Sequence, residues 1–349
     1  MTSSTQATDT KTGRVAQIRK PEAALEFLSK TYSELPVRSV RINVQACGIC
    51  HSDSFAFHGG FPGMKHPMVP GHEIVGLVDE VGSEVGRLKV GDRVGIGWHG
   101  GHCHECQSCR SGDFIACSKL ETPGITVDGG YADYAVFPEE VCALVPEKLS
   151  WSEAAPLVCA GVTTYNSLRH TGTMPGETVA ILGIGGLGHL GVQFANKMGF
   201  RTIAIARGKD KEAFAKELGA HEYIDSQAPD AVETLKKLGG AKVILSTVTN
   251  SDAMTPWIEA LSIGGKMLIV GADFKPMQIS PVALIGGRRS LVGWPSGTAR
   301  DSEECMNFCA LTGIRPMVET FAFDKAYEAY QHMMSGKARF RVVIELNDK

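Results

Sequence analysis

The densest chemistry in this chain lies in CHECQSCRSGDFIAC, where Cys103, Cys106, Cys109 and Cys117 are spaced C-x2-C-x2-C-x7-C. Four thiolates this close complete a tetrahedral zinc shell and leave no open position, so such a site is structural. A ferredoxin-like cluster begins with the same spacing but ends x3-C-P, whereas Cys117 comes after seven residues and precedes Ser118. Zinc is the better match, with His102 and His104 expected to flank it as exposed bystanders. A second stretch, CGICHSD, holds Cys47, Cys50, His51, Ser52 and Asp53. VPGHE adds His72 and Glu73, and VCAG adds Cys159. Single cysteines and histidines are more often filler than ligands, so these residues alone leave open which of them bind metal.

The remaining chemical signal is ILGIGGLGHLGVQFANKMG. Gly183, Gly185 and Gly188 form GxGxxG, with Gly186 and Leu187 inside the turn. It follows an apolar strand and opens a helix striped by Leu187, Leu190, Phe194, Ala195 and Met198. That is the context a dinucleotide fingerprint requires, since the glycines admit the pyrophosphate and the helix N-terminus faces its charge. The next strand, RTIAIA, ends at Ala206 and is followed by Arg207, Gly208 and Lys209. No carboxylate stands there to bind a ribose 2′-hydroxyl, and two cations could meet a 2′-phosphate. NADP is therefore favoured. NAD remains the alternative, with Arg207 and Lys209 as plain solvated charges.

The elements that must hold these residues fall in two kinds. Residues 14 to 150 read as short apolar runs between Gly- and Pro-rich turns, such as SVRINVQA, HEIVGLVDEVG, GDRVGIGW and YADYAVFP, a mostly β pattern. A helical segment, SWSEAAPLVCAGVTTYNSL, begins near Ser150 or Ser152. From Glu177 strands and helices alternate through ETVAILG, RTIAIA, EYID, AKVILST, GKMLIVG and RSLVGW, the α/β signature of a parallel doubly wound sheet. A last helix stops near Gly336 before a final strand.

At 349 residues the chain has room for two cores. Its net charge of -3, without a long basic run, gives no reason to expect a nucleic-acid partner. The N-terminal MTSSTQATDTKTG is polar, lacks a signal-peptide layout and is expected to fray. The longest apolar stretch is broken by glycines, against a membrane span. A cytoplasmic protein is expected, in which ten cysteines call for metal rather than disulfides.

Read together, CHSD, GHE, the four-cysteine lobe, VDGGYADY, CAG, GIGGLG and RFRVVI resemble the zinc-dependent medium-chain alcohol dehydrogenases, including the yeast, bacterial and cinnamyl alcohol dehydrogenases. The likeness runs almost end to end. It implies a GroES-like catalytic domain of residues 1–157 and 296–349, with a zinc lobe at about 99–118, around a Rossmann domain of 158–295. It implies a homo-oligomer, dimer or tetramer, and two zinc ions per chain. The catalytic zinc would be held by Cys50, which directly precedes the H-S-D triplet, His72 and Cys159, leaving Cys47 as a buried small hydrophobe. Asp53 would orient the zinc histidine, and Glu73 matches a residue able to approach the metal. Ser52 would pass the alcohol proton outward. His51 and Arg341 would reach the cofactor pyrophosphate, Thr163 would pack behind the nicotinamide, and Val270 would join the cofactor contacts.

One departure stands out. Many relatives carry a proton-accepting histidine five residues after the zinc cysteine, where this chain has Phe55. The relay must then end at the cofactor ribose and solvent, or at His58 or His51. Trp98 aligns with a pocket tryptophan, with Phe57, Phe61 and Leu291 as candidate neighbours, which points to apolar primary alcohols or aldehydes. Two other readings compete: a related reductase of an iminium or activated alkene, and a non-catalytic zinc- and nucleotide-binding protein.

Overall fold

The computed structural model describes residues 10–271 and 273–346. The expected N-terminal tail lies outside them up to residue 9, but Lys11–Gly13, read as part of it, already belong to a strand. The chain divides into two compact units: Met1–Cys159 with Gly297–Ala310 and Met317–Lys349, and Ala160–Ser296 with Leu311–Pro316.

The first unit opens with a hairpin of β1 (Lys11–Ile18) and β2 (Leu25–Tyr32). There follow β3 (Ser39–Ile49), β4 (Glu73–Val81), β5 (Arg93–Ile96), β6 (Tyr134–Pro138) and β7 (Ala143–Leu144). The second unit contributes β8 (Thr178–Leu182), β9 (Arg201–Ala206), β10 (Glu222–Asp225), β11 (Ala241–Ser246), β12 (Leu261–Ile269) and β13 (Ser290–Gly293). The chain returns to the first unit for β14 (Val318–Ala322) and β15 (Arg341–Glu345).

In the first unit the strand order is β14-β15-β3-β4-β5-β7, with β6 also on β3. In β3 buried Ile42, Val44 and Ala46 alternate with half-buried Asn43 and Gln45, and the alternation is lost at the strand end, where Ala46, Cys47, Gly48 and Ile49 are all buried, as expected where a strand is covered on both faces. Ile74, Val78, Val94, Ile96, Tyr131, Val342 and Ile344 fill the same core. The antiparallel register sets Gly48 opposite Glu73 and Ile49 opposite Val342. Cys50 leaves β3 where His72 enters β4, so sheet pairing brings two distant motifs to one edge.

The second unit is the expected Rossmann sheet. Its order is β10-β9-β8-β11-β12-β13 and every pairing is parallel. RTIAIA and EYID are strands residue for residue. The order reverses between β8 and β11, and the glycine-rich turn follows β8 at that switch point, where such folds bind ligands.

The helix after Ser150 departs from a simple continuation. Ser150 caps it, its Oγ accepting from the Glu153 amide at 3.2 Å. Pro156 has no N–H to donate, and Leu157–Gly161 widen into a π-turn before Val162–Arg169 resumes as α-helix. Cys159 sits in that wide turn. Among the described residues no helix is long and apolar enough to cross a membrane.

Candidate active site and metal centres

Cys50, His72, Glu73 and Cys159 each offer a ligand atom, and these atoms lie within 4.8 Å of one another. Three local devices hold them. Cys50 starts the 3-10 turn His51–Asp53, with its amide donating to Asp53 Oδ2 at 2.9 Å. Asp53 Oδ2 also accepts from the Tyr131 hydroxyl at 3.3 Å, and Asp53 Oδ1 lies 3.2 Å from His72 Nδ1. Tyr131 is itself fixed by the GGY stretch, where the amides of Gly129, Gly130 and Tyr131 donate to the carbonyls of Val69, Gly71 and Pro70 at 2.7, 2.9 and 3.0 Å. Gly129 has no room for a side chain, since a Cβ there would sit 2.2 Å from the Gly71 carbonyl oxygen. The π-turn is approached as closely: a Cβ on Gly97 would lie 2.1 Å from the Val158 carbonyl oxygen.

The pocket leaves polar atoms that a metal ion could use. His72 Nδ1 faces Asp53 Oδ1, while His72 Nε2 and Oε2 of Glu73 are buried without a hydrogen-bond partner, a costly state for polar atoms. The Cys159 thiol and then the His72 imidazole pull the Cys50 thiol well below its usual range, while the contact with Cys50 drives Cys159 up. Burial opposes a charge on His72, but Asp53 and Cys50 together draw its proton on. The groups that hold that proton would equally favour a metal ion. Two sulfurs and an imidazole, with a carboxylate beside them, are a zinc donor set. Burial pushes Glu73 up to about 7 against the pull of Arg341.

Arg341, expected at the cofactor pyrophosphate, lies beside Glu73. Its guanidinium is buried, donating to the Glu73 carboxylate and to the Ile49 carbonyl at 3.1 Å. Pairing of β15 with β3 carries it there. Cys47 is fully buried, its thiol raised by burial and its sulfur donating to the Gly48 carbonyl. Ser52 Oγ stands 3.9 Å from Cys50 Sγ, and His51 is exposed in the same turn.

Aromatic rings near His72 sort differently from the expectation. Trp98 meets the His72 ring edge-on at 5.1 Å, Phe61 meets Trp98 at 6.1 Å, and Phe55 meets Phe61 at 5.3 Å. Phe57 is instead core, stacked on Tyr330 at 3.9 Å. Leu291 lies on β13 and packs against the core of the second unit. His58 engages Glu22 through Nδ1 at 2.7 Å and Tyr330 through Nε2 at 3.4 Å.

The cysteine lobe gathers all four sulfurs. Sγ–Sγ distances of 4.0, 3.5, 3.9 and 3.5 Å link Cys103 to Cys109, Cys106 to Cys109, Cys106 to Cys117 and Cys117 to Cys103. Zinc–sulfur bonds of about 2.3 Å put tetrahedral sulfurs about 3.8 Å apart, which this square of contacts brackets. An iron–sulfur cluster would hold its cysteines wider, because iron and sulfide lie between them. Backbone amides of Cys109 and Ser118 pull the Cys106 thiol down to about 5, and the amides of Cys103 and Lys119 point at Cys117 Sγ from 3.4 and 3.3 Å. Amides likewise lower the Cys103 thiol, whereas burial pushes Cys109 up to about 12. His102 does not fit the bystander expectation, since its side chain is only 4% exposed.

In the second unit Gly183 has φ 94°, and a Cβ on Gly188 would fall 1.8 Å from the Gly183 carbonyl oxygen. Gly185 faces open space, leaving the backbone approachable. Gly186 and Leu187 complete the turn before the helix Gly188–Lys197, and Thr163 is buried on Val162–Arg169. Val270 follows β12, its amide donating to the Ser246 carbonyl at 3.1 Å. Arg207 and Lys209 are exposed just beyond β9. Two residues escaped the sequence reading. Lys211 Nζ, two residues beyond Lys209, donates to the Ile184 carbonyl in the glycine turn at 2.8 Å. Asp225, at the end of β10 beside Ala206, accepts from the Gly208 amide at 2.8 Å.

The same organisation recurs in known proteins. Residues 37–147 match an alcohol dehydrogenase GroES-like domain, and residues 186–311 match a zinc-binding dehydrogenase. The alcohol dehydrogenase patD of Penicillium expansum is 43% identical over 332 residues, covering 94% of this chain and 96% of that protein. Among solved structures, a cinnamyl alcohol dehydrogenase of Sorghum bicolor is similar with a TM-score of 0.86 at 30% identity, covering 96% of this chain and 98% of that one. The CAD of Helicobacter pylori, solved with NADP(H), has a TM-score of 0.85 at 26% identity, covering 97% and 99%.

Proposed function

Because this chain belongs to the zinc-dependent medium-chain alcohol dehydrogenases, enzymes of reversible alcohol and aldehyde oxidoreduction, we propose that it acts on apolar primary alcohols and aldehydes with NADP(H), NAD(H) being the alternative. The observation that carries this reading is the convergence of Cys50, His72 and Cys159, whose ligand atoms lie within 4.8 Å of one another beside the unpartnered, buried Nε2 of His72.

These three residues would hold the catalytic zinc, with Glu73 behind them, and the four-cysteine lobe would hold a second. When bound, the metal lends Lewis acidity to a substrate oxygen and the nicotinamide gives or takes the hydride. The protein's own residues do the rest. Asp53 keeps the proton of His72 on Nδ1, which leaves Nε2 for the metal. Ser52 Oγ takes the alcohol proton and passes it outward, and exposed His51 is the next residue able to carry it, since Phe55 cannot. Phe55, Phe61 and Trp98 exclude water and favour an apolar substrate. Gly183–Gly188 admits the pyrophosphate, Thr163 and Val270 bound the nicotinamide, and Arg207 with Lys209 meets the 2′-phosphate. Cytoplasmic placement and a dimer or tetramer complete the reading.

The test is consumption of NADPH and of NADH against a panel of apolar aldehydes, repeated after Arg207→Asp. The expected result is turnover with NADPH preferred, and a preference reduced about tenfold or more by the charge reversal. An unchanged preference refutes the assignment of the strand end. A zinc-loaded protein that turns over no aldehyde or alcohol would favour the iminium or alkene reductase instead.

A further inference from the structure

Outside both zinc sites, His102, His104 and Glu140 also bring ligand atoms within 4.8 Å of one another. The two histidines open the cysteine lobe, and Glu140 lies in the 3-10 turn Glu139–Val141 after β6. His104 Nε2 is 3.1 Å and His102 Nε2 is 3.8 Å from the same oxygen, Glu140 Oε1. The longer distance is beyond a hydrogen bond. It suits two ligands sharing one ion, because bonds of about 2.0–2.1 Å to imidazole and carboxylate set tetrahedral neighbours about 3.3 Å apart.

We propose that His102, His104 and Glu140 form a third metal site, for an exchangeable divalent cation of the zinc, nickel or copper class. Two imidazoles and one carboxylate select such ions over magnesium or calcium, which prefer oxygen. Three protein ligands leave positions for water, so the ion binds more weakly than in the four-sulfur lobe. His102 is prepared for the task. Its Nδ1 lies 3.0 Å from Nε2 of buried His99, a contact that occupies Nδ1 and turns Nε2 toward Glu140.

A second observation is the backbone of His104. Its φ of 60° is left-handed, a conformation that costs a side-chain-bearing residue on the order of 1 kcal/mol relative to glycine. The chain nevertheless places there the one side chain that reaches Glu140 at 3.1 Å. Neighbouring cations do not fill the site: Arg38 is paired with Glu139 and Lys119 with Glu105. His104 is 63% exposed and lines a surface groove of about 690 Å³ with His102 and Glu140, giving an ion a way in.

The experiment starts from purified protein that has been dialysed against a weak chelator and keeps its tightly held metal. Nickel is then titrated calorimetrically, with Cu2+ electron paramagnetic resonance reporting the ligands. Wild type is expected to take up one further ion per chain with two imidazole nitrogens bound. Glu140→Gln and His104→Gly should each weaken this uptake at least tenfold, leaving aldehyde turnover and sulfur-bound metal unchanged. The glycine variant relieves the left-handed strain, so its melting temperature should hold or rise without added metal, and should no longer rise with nickel. Wild type that binds no further ion, or either variant binding nickel as wild type does, overturns the proposal.

Discussion

Asp53 meets three demands at once, accepting from the Cys50 amide and the Tyr131 hydroxyl while facing His72 Nδ1. Asp53→Asn keeps the shape but replaces the carboxylate with an amide that is as able to donate to His72 as to accept from it. Metal affinity and activity should fall about 10- to 100-fold with the circular dichroism spectrum unchanged, as measured by zinc competition against a fluorescent chelator. Proton delivery is tested one residue earlier. Ser52→Ala should lower kcat about a hundredfold, whereas His58→Ala should leave it near wild type, because His58 is engaged with Glu22 and Tyr330. Equal losses would return His58 to the relay. At this scale the sequence was unevenly legible. The four lobe cysteines could be read from spacing because their ligation is local. Phe57 and Phe61 could not be told apart, since only packing decides that one stacks on Tyr330 in the core and the other meets Trp98.

Strand pairing explains what spacing could not. Cys50 and His72 are far apart in sequence and meet because Gly48 pairs with Glu73, so their grouping was available only through resemblance. The π-turn that presents Cys159 left one visible trace, Pro156 inside a helical run. The contact of Arg341 with Glu73 was hidden for a similar reason, since β15 lies antiparallel on β3 and delivers its guanidinium there. A pH-sensitive clamp ties that sheet to the β1–β2 hairpin. Asp79 on β4 accepts from Lys11 Nζ on β1 at 2.6 Å and from Arg41 Nε on β3 at 2.9 Å. Burial alone would raise its carboxyl, but hydrogen bonds from Lys11 and Arg41 outweigh it and hold the carboxyl below the ordinary value. A depressed carboxyl contributes stability that is fully present above its unfolded value of about 3.9 and is lost as pH falls through the folded value. Asp79→Asn should therefore cost about 1–2 kcal/mol at neutral pH, and the gap should close as the solution is acidified below about pH 4, by urea midpoints at each pH. A gap that stays constant through that range would show that Asp79 acts by packing.

On the scale of the whole molecule the chain separates three binding tasks, each with its own elements. A closed four-sulfur lobe, an open pocket at the sheet edge and a glycine turn in a second unit should fail independently. The lobe offers a metal no vacant position for an attacking chelator, while the pocket has two sulfurs, one imidazole and a buried carboxylate. Stepwise treatment with a strong chelator should first remove one zinc per chain, and activity should vanish in proportion while the far-ultraviolet spectrum holds. Removal of the second zinc should be slower and should lower the melting temperature, because the stretch from Cys103 to Cys117 has little else to fold around: only Cys109 and Cys117 are buried in it. Arg207→Asp should alter neither metal stage and change only the response to NADPH. Atomic absorption against activity at each stage decides the matter. If activity survives loss of the first zinc and disappears only with the second, the open pocket is not where the reaction occurs.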